Sequence, residues 1–288
     1  MRNICIIITL LLLTAGRLHA GKSSVVLETE GYACMGDDKS RKQTEQVAYM
    51  EGKRKATESA VTYIRSETHV KDALLEKDLL SAYANAQVKV IQELFNEWYK
   101  EANLGDCYRV KLKVEVTPDE KVMSGSSKKN QEVLENDPAA PLSVKVWTDR
   151  PAYTEKESVR IYVKGNKPFY GRLVYQQTDG TLIQLLPNPY RSDNYFNGST
   201  VYELPSGADR YSMEICEPFG VERVTLYAST APGGDPELEA ADKVFLVKTK
   251  AADLPTSTRG IQLKAGKGKT SSPAEFAEAS AEVKTAKK

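Results

Sequence analysis

Between residues 142 and 230 the chain is written in short alternating runs: LSVKVWT, ESVRIYVKG, YGRLVYQQ, TLIQLLP, STVYELP, RYSMEICEP and VERVTLYAST. A period of two sends successive side chains to opposite faces of a strand. Clusters of Pro, Gly, Asn and Asp break the runs at close spacing, which predicts an antiparallel, Ig-like β-sandwich. Asp179-Gly180, between VYQQT and TLIQLL, predicts a two-residue type I′ hairpin, a turn that needs positive φ at both positions. ADKVFLVKTK, residues 241–250, adds an eighth strand and closes the domain at 142–250.

Upstream the pattern differs. SVVLETEGYACM (24–35) reads as a strand, with Leu27, Thr29 and Ala33 on one face and Val26, Tyr32 and Cys34 on the other. Gly36-Asp37-Asp38 breaks it and offers helix caps. From Ser40 to Glu67 runs a helical pattern without Pro, and its stripe Ala48, Gly52, Ala56, Ala60 lets the helix lie close against a sheet. A shorter helix is expected over Lys71–Tyr83, then strands over Gln87–Tyr99 and Cys107–Val116 joined by a loop containing Gly105. The last strand carries Tyr108, Val110, Leu112, Val114 and Val116 on one side. Residues 21–117 therefore read as a small strand-helix-strand-strand domain, and the whole chain as α+β.

Residues 1–20 read as a signal peptide. Arg2 gives a positive start, Ile4–Thr14 an apolar core and Ala20 a small residue at the cut, with cleavage after Ala15 as the alternative. The apolar run is too short to cross a bilayer, so no transmembrane anchor is expected. Cys5 lies inside that core, which disfavours a lipoprotein. Residues 118–141, polar and rich in Ser, Gly and Pro, read as a linker. Beyond Ala251 the chain turns Lys- and Ala-rich and reads as a mostly flexible tail (251–288), with a short helix around Ala274–Val283 and a strand at Arg259–Leu263.

Export permits a disulfide. Cys34 falls near the end of the first strand, on its face with Tyr32, and Cys107 opens the last strand, on the face away from its apolar row. If those strands pair antiparallel the two sulfurs meet, so a Cys34–Cys107 bridge is expected, closing about 73 residues and contributing roughly 3–4 kcal/mol. Three free thiols are the alternative, and Cys216 is left over in either case.

The second domain resembles the bacterial family catalogued as domain of unknown function 4384. The resemblance rests on Trp147-x-Asp149-Arg150-x-x-Tyr153, Gly180, Pro187-Asn188, Pro205 and Pro218-x-Gly220, and extends to TRGIQL at 258–263. It implies a β-sandwich accessory domain of exported bacterial proteins. Residues 24–117 are similar to the N-terminal α/β domain of flagellar assembly protein T and related envelope lipoproteins, through ETEGYA, the alanine-spaced helix and YRVKLKVEV.

Enzyme readings fare poorly. The sequence has no Gly-x-Ser-x-Gly, Walker loop or dinucleotide fingerprint. Maturation leaves only His69, which removes most triads and zinc sites. No catalytic residue, metal site or cofactor is therefore expected. The 40 basic and 39 acidic residues balance, giving no reason to expect nucleic acid as a partner. The most suggestive surface is the loop Pro187–Gly198, with Tyr190, Tyr195 and Phe196 beside Asn188, Asn194 and Arg191, a composition suited to a binding loop on a rigid scaffold. The plainer reading, which weighs more, has the aromatics capping the end of the sandwich while the asparagines satisfy turn backbone. Together these features point to a non-enzymatic, periplasmic or secreted envelope accessory protein that binds an envelope protein or polymer. A hydrolase or inhibitor acting on envelope components, and a structural component that oligomerises through sheet edges, are the alternatives.

Overall fold

The computed structural model describes residues 23–68, 73–124, 134–241, 244–258 and 272–288. The expected signal segment 1–20, His69 and the expected strand at Arg259–Leu263 lie outside the described residues.

The N-terminal unit consists of β1 (Ser23–Cys34), α1 (Arg41–Glu67), α2 (Ala73–Ala84), β2 (Gln87–Glu101) and β3 (Gly105–Thr117). A capping box starts α1: Ser40 Oγ accepts from Gln43 N at 3.3 Å, and Gln43 Oε1 accepts from Ser40 N at 2.8 Å. Its small-residue stripe, Ala48, Gly52, Ala56 and Ala60, is buried and continues to Ile64. The stripe lies on β1, where Gly31 faces Ala48 and Gly52 and Thr29 Oγ1 donates to Gly52 O at 3.0 Å. Val110, Leu112, Val114 and Val116 complete this core from β3. β1 and β3 pair antiparallel with Cys34 opposite Cys107, and the two are joined as a disulfide.

The second unit has two sheets facing one core. β4 (Val144–Thr148), β6 (Ile161–Gly165) and β10 (Tyr202–Leu204) form a three-stranded sheet in the order β10-β6-β4. Opposite lie β7 (Phe169–Gln176), β8 (Leu182–Leu186), β11 (Val221–Ser229), β12 (Leu238–Ala241) and β13 (Val244–Val247), with the short strands β5 (Ala152–Thr154) and β9 (Tyr195–Phe196) at its margins. The β7–β8 connection departs from the expected type I′ turn. Gln177 N bonds Thr181 O, Gly180 N bonds Gln177 O, and only Gly180, at φ 87°, is left-handed, so three residues turn the chain and Asp179 keeps negative φ. Asp179 Oδ1 accepts from Thr181 N at 2.8 Å, which holds the aspartate in that conformation.

The largest correction concerns the C-terminal segment. Ala274–Ala286 is a 13-residue strand, β14, where a flexible tail with a short helix is expected from sequence. It pairs antiparallel with β11 along Val221–Ser229 and with β1 at Ser23–Val26. The two units are thereby joined into one 11-stranded sheet, ordered β12-β13-β8-β7-β11-β14-β1-β3-β2. Pairing is antiparallel throughout except between β14 and β5, and the helices lie against one end of this sheet, an α+β arrangement.

The expected linker also has structure where it is described. α3 (Glu120–Ser124) follows β3, while Leu134 and Ala140 pack on Leu75. The Asn166 amide donates to the carbonyls of Asp137, Ala140 and Pro141. Glu275 of β14 ties the junction together. Almost fully buried, it accepts from Tyr63 Oη of α1 at 3.2 Å, from Lys167 Nζ at 3.1 Å and from Leu142 N. A buried carboxylate satisfied from three directions holds those three segments in one geometry.

Candidate functional cavity

One end of the two-sheet core is open. Its walls are the segment leading into β6, the inner face of β7, β8 and β11, and the crossing strand-like stretch 210–216. That stretch is held by Val159 N to Met213 O, Ile215 N to Glu157 O and Lys156 N to Ile215 O, at 2.9–3.0 Å. Ile215 enters the core and Met213 packs on it, while Cys216, a free cysteine, stays exposed. The space enclosed is about 480 Å³, within the roughly 300–1,000 Å³ typical of small-ligand cavities.

The lining is mixed, and two of its polar side chains, Gln184 and Glu222, are buried; Gln184 is satisfied, its Oε1 accepting from Arg172 and its Nε2 donating to Pro187 O. Glu222 sits on β11 in phase with Val224 and Leu226, so the pleat turns its carboxylate inward, and only 3% of the residue is exposed. Tyr175 on β7 donates from Oη to Glu222 Oε2 at 2.6 Å. Burial first, and then the adjacent Glu222 carboxylate, push the Tyr175 phenol well up, so it stays protonated and keeps donating. Glu222 Oε1 is buried and has no hydrogen-bond partner among the described residues. Nor does any Lys or Arg form an ion pair with Glu222 among them; Arg210, which also lines the cavity, is exposed at its rim. A buried carboxylate oxygen without a donor costs desolvation energy, which the Tyr175 bond to the other oxygen offsets only in part.

The expected binding loop divides between this cavity and plain structure. Asn188 and Tyr190 line the cavity. The Tyr190 ring stacks on Tyr211, their centroids 5.9 Å apart, and burial pushes the Tyr211 phenol up. Asn188 also holds its own turn, donating from Nδ2 to Leu185 O at 2.7 Å and accepting at Oδ1 from Tyr190 N and Arg191 N. Arg191 pairs with Asp209 at 3.0 Å, which ties the loop to the turn before 210–216. Phe196 is fully buried, stacked on Phe169 at 5.1 Å, and is therefore a core residue. Tyr195 is exposed and meets Tyr170 edge-on, while Asn194 lines a separate, smaller cleft beside Arg172. Of the six loop residues, two reach the cavity.

Sequence reasoning missed Glu222, Tyr175 and the 210–216 wall. One signal was available: in VERVTLYA, alternation puts Glu222 on the same face as Val224 and Leu226, an acid on an apolar stripe. The Trp147–Tyr153 motif, by contrast, is structural. Trp147 stacks on Tyr162 at 5.6 Å, and Asp149 accepts from Tyr153 Oη at 2.6 Å and from Arg160 N at 3.0 Å. Burial raises the Asp149 carboxyl, but those hydrogen bonds and Arg150 outweigh it and hold the group below its usual range.

Residues 152–232 match the model of the family described as Domain of unknown function (DUF4384). All the lining residues of the cavity except Val244 fall inside that match. No curated protein and no solved structure matches the chain.

Proposed function

We propose that this chain is an exported accessory protein of the bacterial envelope, periplasmic or secreted, that works by binding rather than by catalysis. In this reading the second unit is an Ig-like sandwich whose open end takes a group from an envelope protein or polymer. In the same reading the N-terminal unit serves docking or assembly. The observation that carries the reading is the cavity of about 480 Å³ at that open end, which holds a buried carboxylate oxygen without a partner among the described residues. Such a site is costly to maintain for folding alone and is suited to an occupant. Among the described residues its lining contains no histidine, and its other acid, Glu214, is exposed, which favours recognition over acid–base chemistry.

The test is photo-crosslinking in the native envelope from a probe placed at Tyr190, which is half exposed at the cavity wall. The full-length chain is compared with the cavity-filling variant Met213→Trp. Crosslinks that disappear in the filled variant support binding through the cavity. Crosslinks unchanged by filling it overturn the reading.

A further inference from the structure

We infer that the cavity takes a primary ammonium carried on a short apolar body, with Glu222 as the group that receives the charge. This deepens the binding reading above and rests on it. The polar demand of the site is one-sided. Tyr175 already supplies the donor for Oε2, and Oε1 still needs one. A second carboxylate or a phosphate brought by a ligand would face Glu222 with like charge, and an alkane or neutral acceptor would leave Oε1 bare. A ligand N–H donor satisfies it, and a cationic donor also balances the buried charge. Rotation about the last torsion of a glutamate is broad and roughly two-fold, so either oxygen turns toward an occupant. The wall around the carboxylate fits the remainder of such a ligand: Ile183, Met213 and Ile215 offer aliphatic surface, and the stacked rings of Tyr190 and Tyr211 stand at the side. Aromatic faces near a cation add attraction of their own. A free alkylamine and a lysyl side chain present the same chemistry, and they are separated below.

The full-length protein, labelled at isoleucine and methionine methyls, is titrated at pH 7 with n-hexylamine, n-hexanol and n-hexanoate, and with Nα-acetyl-lysine N-methylamide. Alkylation of Cys216 by iodoacetamide gives a second readout at the cavity mouth, since Cys216 is exposed and lines it. Hexylamine is expected to shift the methyls of Ile183, Met213 and Ile215, to slow Cys216 alkylation, and to bind at least about tenfold more tightly than hexanoate. Glu222→Gln is expected to weaken hexylamine about tenfold and hexanol, a neutral donor, by much less. Binding of the lysine derivative as tightly as hexylamine assigns the ammonium to a side chain of a larger partner, and much weaker binding assigns it to a free amine. Equal binding of hexylamine and hexanoate, or an E222Q variant with native amine affinity, overturns the inference and leaves the cavity as a binding site of other chemistry. No response to any probe overturns the inference together with the cavity reading. Native-like methyl spectra of E222Q exclude misfolding as the cause of a loss.

Discussion

Removing the Cys34–Cys107 bridge is the perturbation whose effect follows most directly from the structure. The bridge joins residues 73 apart in sequence, and closing a loop of that size removes about 15 cal/mol/K from the unfolded chain, or about 4 kcal/mol at 25 °C. In the folded state the two residues are opposite one another in an antiparallel ladder that continues through Ala33 with Tyr108 and Tyr32 with Arg109. The folded geometry therefore survives without the bond, and the effect falls on the unfolded state. The double variant Cys34→Ala/Cys107→Ala avoids stranding a lone thiol. Its urea midpoint, followed by circular dichroism, is expected to fall by about 2 M, taking a slope of about 2 kcal/mol/M. Reductant added to the native protein should reproduce the shift, and added to the variant should do nothing. A shift below about 0.5 M would refute the reasoning, because it would mean that β1 and β3 already associate in the unfolded ensemble.

Gly31→Ala places a Cβ 1.9 Å from Ala48 O and 2.6 Å from Gly52 N, both backbone atoms, so α1 must lift from β1 at a cost of about 3 kcal/mol. Gly207→Ala, with nothing within 4 Å, is the control and should stay within about 0.5 kcal/mol in the same urea melts. Burial raises the Asp209 carboxyl, but hydrogen bonds from Ser206 and the Arg191 guanidinium outweigh it and hold the group below its ordinary 3.8. A depressed folded value means the contribution is present above about pH 4 and lost as pH falls through the folded value. The stability gap between native and Asp209→Asn should therefore be widest near neutrality and shrink toward pH 3; a gap that grows on acidification refutes the assignment. Tyr175→Phe/Glu222→Leu replaces the buried polar pair with apolar groups and should gain about 1–3 kcal/mol in thermal melts without ligand. A double variant that melts below the native protein would make the pair a structural one.

What the sequence disclosed and what it hid divide along physical lines. β3 was legible because Tyr108 to Val116 alternate without interruption, and α1 because its small residues recur every fourth position. The bridge was legible because two strand ends and their faces could be matched. β14 was hidden because AEFAEASAEVKTA is rich in Ala and Glu, which favour helix locally. Its period-two signal is present in Ala277, Ala279, Ala281 and Val283, all buried in the two-sheet core, but only tertiary pairing with β11 and β1 gives that signal force. Glu222 was hidden because its meaning depends on Tyr175, 47 residues earlier. For Phe196 the capping reading fits its burial, although the partner that buries it, Phe169, lies on a neighbouring strand that the loop sequence does not reveal.

The place of β14 makes the order of synthesis matter. It follows every other described strand, yet it sits between the two halves of the sheet, with β11 on one side and β1 on the other. A chain made from its N-terminus must wait for it. Until Ala274–Ala286 arrives, β11 presents a bare ladder along 9 residues, and the carboxylate of Glu275 is missing from the junction it satisfies. An interrupted chain thus displays the kind of open edge that proteases and chaperones engage, and a finished one hides it. Among the described strands β14 is thus the piece that closes this gap, and a bulky group placed close behind it would sit near the middle of the sheet rather than at an outer edge.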